Sequence, residues 1–153
     1  MTLSKYEELL EEISQHNITV VETDLGGDCG YCYNDVIFIN ESSSPTIKYC
    51  ILLEEIGHYF KTVGDITDLT KSENVKQELI ARGWAFKKAI SPKAILNALL
   101  KKPDNLYELS ESLGVSEKFL LEALNYYKTK YGLYCVIENY ILQFAPLKPI
   151  RIF

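Results

Sequence analysis

The sequence predicts an α+β fold. A small N-terminal antiparallel sheet packs on a helical core, and a winged-helix-like part follows at the C-terminus. Three observations predict this. Residues 18–40 hold short β-rich runs broken by turn pairs. Residues 45–100 hold apolar-periodic segments punctuated by Ser-Pro and Pro. Residues 105–144 hold two helical segments around a glycine, then a hairpin pattern. The softest boundary is Lys101-Lys102-Pro103, which divides the chain into residues 1–102 and 103–153.

Each element has a local cause. Leu3, Tyr6, Leu9, Leu10 and Ile13 recur at helical spacing over residues 3–16. Ile18 to Val21 open the β-rich stretch, and Gly26-Gly27 turns it. Tyr31 to Tyr33 and Val36 to Ile39 read as strands joined at Asn34-Asp35. Ser42-Ser43-Ser44-Pro45 starts a helix that runs to Lys61, because serine caps and proline fits the first turn. Gly64-Asp65 ends it, and a loop follows through Leu69. A second helix covers 72–89 and closes at Ser91-Pro92; Pro92 opens a third through Leu100. Helices over 105–112 and 116–131 flank Gly114, and Gly132 caps the latter. Residues 133–137 and 140–144 form a hairpin turning at Glu138-Asn139, with 150–153 as a further strand. The late tyrosines Tyr126, Tyr127, Tyr131, Tyr134 and Tyr140 are expected to pack between the last helix and the hairpin.

Composition narrows the function class. The 153 residues are 47% hydrophobic, enough for a folded core, and carry a net charge of −5, which disfavours phosphate backbones. No stretch approaches the ~18 apolar residues that span a bilayer. The acidic, amphipathic start MTLSKYEELLEEIS is unlike a signal or transit peptide, so a cytoplasmic location is expected. Cys29, Cys32, Cys50 and Cys135 are then expected as reduced thiols. Cys29-Gly-Tyr-Cys32 is a single CxxC in a turn-strand context without a second ligand pair, and reads as two incidental strand cysteines.

The chemistry concentrates on the helix beginning at Pro45. In Ile51-Leu52-Leu53-Glu54-Glu55-Ile56-Gly57-His58-Tyr59-Phe60, Glu54 and His58 are four apart and share one face. That spacing lets both bind one metal ion. Glu55 lies beside them, at the place of the general base in H-E-x-x-H, which takes a proton from water and passes it to the leaving amine. Zinc accepts carboxylate oxygen as well as imidazole nitrogen, although a carboxylate at position 54 makes the activated water less acidic. Gly57 costs about 1 kcal/mol relative to alanine inside a helix, which implies close packing at that turn. Glu78, in Glu78-Leu79-Ile80-Ala81-Arg82-Gly83-Trp84-Ala85, offers a third ligand, and the small residues Ala81, Gly83 and Ala85 permit close approach of the two helices. Two carboxylates and one imidazole also suit manganese or iron. Asp65, seven residues past His58, is either a further ligand or a turn cap.

These residues, with Val63-Gly64-Asp65-Ile66 and Lys76 to Ala85, resemble the ImmA/IrrE family of metallopeptidases, in the phage-borne type. The family's usual pattern is H-E-x-G-H with a downstream E-x-x-A-x-x-F-A. The resemblance implies a zincin-like helical core. It also implies Zn2+ held by Glu54, His58 and Glu78, with Glu55 as the general base. Glu54 departs from the family pattern. His16, in the first helix, is expected at the surface. The implied role is cleavage of a helix-turn-helix repressor of a phage or mobile element. The alternative is a pseudopeptidase that binds a repressor without cleaving it.

Leu106 to Leu120 also has the look of a helix-turn-helix, which raises a third class, a DNA-binding regulator. The charges argue against it. Its second helix begins Glu117-Lys118, the first carries Glu108 and Glu111, and arginine is absent from the segment. Direct nucleic-acid binding is therefore not expected. A structural or protein-docking role, with a basic repressor as partner, is preferred.

Overall fold

A computed structural model describes residues 2–61 and 72–152. The element order is α1 (Lys5–Ile13), β1 (Thr19–Thr23), β2 (Gly30–Tyr33), β3 (Val36–Asn40), α2 (Pro45–Lys61), α3 (Ser72–Ala89), α4 (Pro92–Leu99), α5 (Leu106–Leu113), α6 (Glu117–Tyr131), β4 (Tyr134–Ile137), β5 (Tyr140–Phe144) and β6 (Leu147–Arg151). The architecture is α+β, as the sequence predicts. The chain forms two compact units, Met1–Ala85 and Phe86–Phe153, with the division inside α3. The expected stop at Gly64-Asp65 of the helix that begins at Pro45, and the expected loop through Leu69, lie outside the described residues.

In the first unit, Ser4 caps α1 through a capping box: its hydroxyl accepts from the Glu7 amide while the Glu7 carboxylate returns to the Ser4 amide. Tyr6, Leu9 and Ile13 form the buried stripe of α1, whereas Leu3 is exposed. The sheet has the order β1-β3-β2. β2 and β3 are the expected antiparallel hairpin, with Asn34 taking a positive φ of 54° at the turn. β1 corrects the expectation of an all-antiparallel sheet, since it pairs parallel to β3, Thr19 opposite Val36 through Thr23 opposite Asn40. The segment between β1 and β2 is long enough to carry the chain across, and parallel pairing keeps β1 from continuing the hairpin as a meander. Its base is tied by Asn40, whose buried amide donates to the Gly26 and Asp28 carbonyls and accepts from the Ser42 amide and hydroxyl. Ile37 and Ile39 of β3 and Leu52, Leu53 and Ile56 of α2 are almost wholly buried and supply the core of this unit.

α2 starts where Ser44 accepts from the Ile47 amide and Pro45 occupies the first turn. In the second unit, Ser91, Asn105 and Ser116 cap α4, α5 and α6 in the same way. Gly114 ends α5 in the left-handed region at φ 71°, which turns α5 into α6. β4, β5 and β6 form an antiparallel sheet that completes the winged-helix-like arrangement. Tyr127 is fully buried, donates to the Ile90 carbonyl at 2.9 Å and stacks with Tyr131 and Phe144. Tyr134 departs from the expected packing role, being 54% exposed on the outer face of β4.

Candidate functional site

The site is built where α3 approaches α2. Gly57 makes that approach possible. A Cβ placed there would lie 2.5 Å from the Ala81 carbonyl oxygen and 3.4 Å from Trp84 Cε3. The backbones therefore meet at a distance that a side chain would prevent. Ala81 and Ala85 on α3 are completely buried. Of the small residues singled out in the sequence, Ala81 is the one against Gly57.

Two side-chain pairs flank it. His58 Nε2 lies 3.4 Å from Glu78 Oε2, and Arg82 Nη2 lies 4.0 Å from Glu54 Oε1. Residue numbers rise along α2 as they fall along α3, so the helices meet in antiparallel sense. The four side chains are between about a quarter and a third exposed, open enough to meet a ligand and sheltered enough to feel one another. Glu55 is half-buried beside them. Burial pushes its carboxyl up to about 7, and the charges of Glu54 and Glu78 push in the same direction.

The structure thus brings His58 and Glu78 together, and places Glu54 and Glu78 close enough to act on Glu55. Glu54 lies nearest Arg82. Among the described residues, no three histidine, cysteine, aspartate or glutamate side chains converge as a ready-made metal cage. Asp65 lies outside the described residues. The donor chemistry nevertheless suits a divalent cation. His58 and Glu78 meet at 3.4 Å with Glu54 and Glu55 near them on α2, and imidazole and carboxylate are donor types that a divalent cation accepts.

Other residues border the site. Cys32 on β2 has its thiol pushed up by burial and then by the Glu55 and Asp35 carboxylates, which places it near Glu55. The Tyr59 hydroxyl donates to Asp35 Oδ1 at 3.1 Å and ties α2 to the β2–β3 turn. Sequence spacing signals neither, because the hairpin reaches α2 only in the folded unit. All four cysteines are free thiols. His16 is exposed, as expected, with its ring against the edge of Phe60. It lines a cleft of about 350 Å³ with Leu9, Ile13, Ile56 and Trp84. Ile56 is rotated about 200° from Glu54 around α2, so this cleft lies behind the acidic face.

The family model Peptidase_M78, described as the IrrE N-terminal-like domain, matches residues 13–125. The chain belongs to this family. The match takes in α2, α3 and every site residue named above, and ends within α6. A comparison with curated proteins gives no match. Membership in Peptidase_M78 supplies a metallopeptidase-type domain, on a chain in which no helix among the described residues is long and apolar enough to cross a membrane.

Proposed function

We propose that the chain is a metal-dependent endopeptidase of the ImmA/IrrE type, acting on a helix-turn-helix repressor of a phage or mobile element. The observation that carries this reading is the contact of His58 with Glu78 across the Gly57–Ala81 approach, with Glu55 alongside. Glu54, His58 and Glu78 would hold a divalent ion, Zn2+ first, with manganese or iron suited to the same donors. When bound, such an ion supplies Lewis acidity, polarising a scissile carbonyl and making a water more acidic. Glu55 then accepts the proton of the attacking water and delivers it to the departing amine. Its place next to Glu54 on α2, half-buried beside the proposed ligands, sets it where that water would stand. The half-buried site opens to solvent on its acidic face, which suits an extended peptide rather than an enclosed small molecule.

Family membership supports the peptidase class, and the repressor as substrate rests on the family's typical setting. The test is elemental analysis of purified protein, followed by incubation with a purified repressor from the same element. About one zinc per chain, lost in His58→Ala and Glu78→Ala, together with cleavage abolished by Glu55→Gln, is the expected result. A chain that takes up no divalent ion when supplied with one would sink the proposal.

A second reading is a pseudopeptidase that binds its regulator without cutting it. Its support is the Arg82 guanidinium beside Glu54, the position where the family pattern has histidine. Metal uptake without cleavage, together with stable repressor capture, would favour it.

A further inference from the structure

The His58–Glu78 and Glu54–Arg82 pairs across the α2–α3 contact differ in kind. His58 and Glu78 are both metal donors. Glu54 faces a residue that can only donate hydrogen bonds and carries a permanent charge, since arginine is not deprotonated in proteins. Arg82 stands four residues after Glu78, which puts both on one face of α3. Antiparallel packing then sets Arg82 beside Glu54, as Glu78 is set beside His58.

We infer that Arg82 is a built-in counter-cation of this site and competes with a divalent metal ion for the Glu54 carboxylate. The inference rests on the reading of Glu54, His58 and Glu78 as ligands. A histidine at position 54 would bring no charge. Glutamate brings one, next to Glu55 and Glu78, and the guanidinium of Arg82 lies 4.0 Å from its carboxylate. In the metal-free chain that guanidinium offsets part of the mutual repulsion of the carboxylates. A divalent ion bound by Glu54 would sit within a few ångström of the same guanidinium. Like charges at that range repel strongly unless solvent screens them. Loading therefore requires Arg82 to withdraw, and its partial exposure leaves it room to do so. Arg82 is thus a positioning residue that sets how much free metal the site needs before it fills.

The test measures Zn2+ affinity by competition with a chromophoric chelator for the full chain and for Arg82→Gln, Arg82→Lys, Glu54→His and the Glu54→His/Arg82→Gln double variant. Circular dichroism confirms the fold, and denaturant unfolding in EDTA is run alongside. Arg82→Gln is expected to bind zinc about ten-fold tighter or more, because a repelling and competing charge is gone. It is expected to unfold more easily in EDTA, and Arg82→Lys to stay near the parent. With histidine at position 54, the same Arg82→Gln change is expected to alter affinity clearly less than it does in the parent, because competition for a carboxylate at that position is gone and only the direct repulsion between guanidinium and metal remains. Equal or weaker zinc binding in Arg82→Gln, or an effect of the same size with histidine at position 54, overturns the competition while leaving the ligand reading intact. Absence of zinc binding in every variant overturns both.

Discussion

Gly57→Ala tests how the site is assembled. A methyl group at this position would meet the Ala81 carbonyl oxygen at 2.5 Å and its carbon at 3.2 Å. Both are backbone atoms, so no flexible side chain can swing aside. Restoring ordinary contact requires α3 to retreat by about 1 Å at this point. Overpacking of this kind costs about 1–3 kcal/mol. Alanine is a better helix former than glycine and returns about 1 kcal/mol. The net expectation is a loss of about 0–2 kcal/mol, or a fall of up to roughly 8 °C in Tm for a chain of this size. The same retreat widens the 3.4 Å His58–Glu78 contact, so zinc affinity should fall by about ten-fold or more. Gly27→Ala is the control, because nothing lies within 4 Å of its added Cβ and its backbone is ordinary. Denaturant unfolding and chelator competition measure the two effects. A Gly57→Ala protein about 1 kcal/mol more stable than the parent, with unchanged zinc affinity, would refute the close-approach argument, since helix propensity alone would then decide the outcome.

Further outcomes follow from other contacts. Glu55→Gln, compared with the parent in EDTA, should stabilise the chain at pH 8. The parent carboxyl prefers its proton when folded, so its contribution declines as pH rises from the ordinary 4.5 through about 7; the gain, of order 2–3 kcal/mol, should vanish near pH 4. Tyr6→Phe removes a hydrogen bond of 2.5 Å to Glu22 and should cost about 1 kcal/mol at neutral pH. That bond and Lys48 hold the Glu22 carboxyl below its usual range, so the cost should shrink as pH falls below 4.5 and through the lowered native value. Asn40→Ala leaves the Gly26 and Asp28 carbonyls without their side-chain donor and should cost about 2–3 kcal/mol by urea unfolding. Tyr127→Phe strips the buried Ile90 carbonyl of the hydroxyl and should cost about 1–2 kcal/mol in the same assay.

Much of the fold was legible because its punctuation is local. Ser44-Pro45, Ser91-Pro92, Gly114 and Gly132 each fix an element end through a cap or a turn that neighbouring residues determine. The limits of α2 and α3 coincide with those expected. The parallel β1–β3 pairing was not legible, because strand partners are chosen by packing across sequence distance and either sense satisfies the alternation. The candidate site divides in the same way. Helical spacing shows that Glu54 shares a face with His58, and Glu78 with Arg82. It does not show which residues meet across two helices, so Arg82 passed unnoticed beside Glu54. Cys32, Asp35 and Tyr59 border the site only because the β2–β3 hairpin packs beside α2.

The charge at this site also bears on why the arrangement persists. Three carboxylates near one half-buried histidine are a liability in a chain that gains nothing from them, for each charge lowers the stability of the others. The apolar residues between them show that the position is no accident of a polar surface. Leu52, Leu53 and Ile56 on α2 are buried, and so are Ala81 and Ala85 on α3. The same two helices therefore anchor the core with one face and concentrate acid on another. Gly57 adds a second cost, accepted only where backbones must nearly touch. Two local penalties that meet at one contact are what the proposed binding site would account for. In the proposed reading a divalent cation between α2 and α3 would offset the first penalty, and the close approach behind the second would bring the proposed donors toward it.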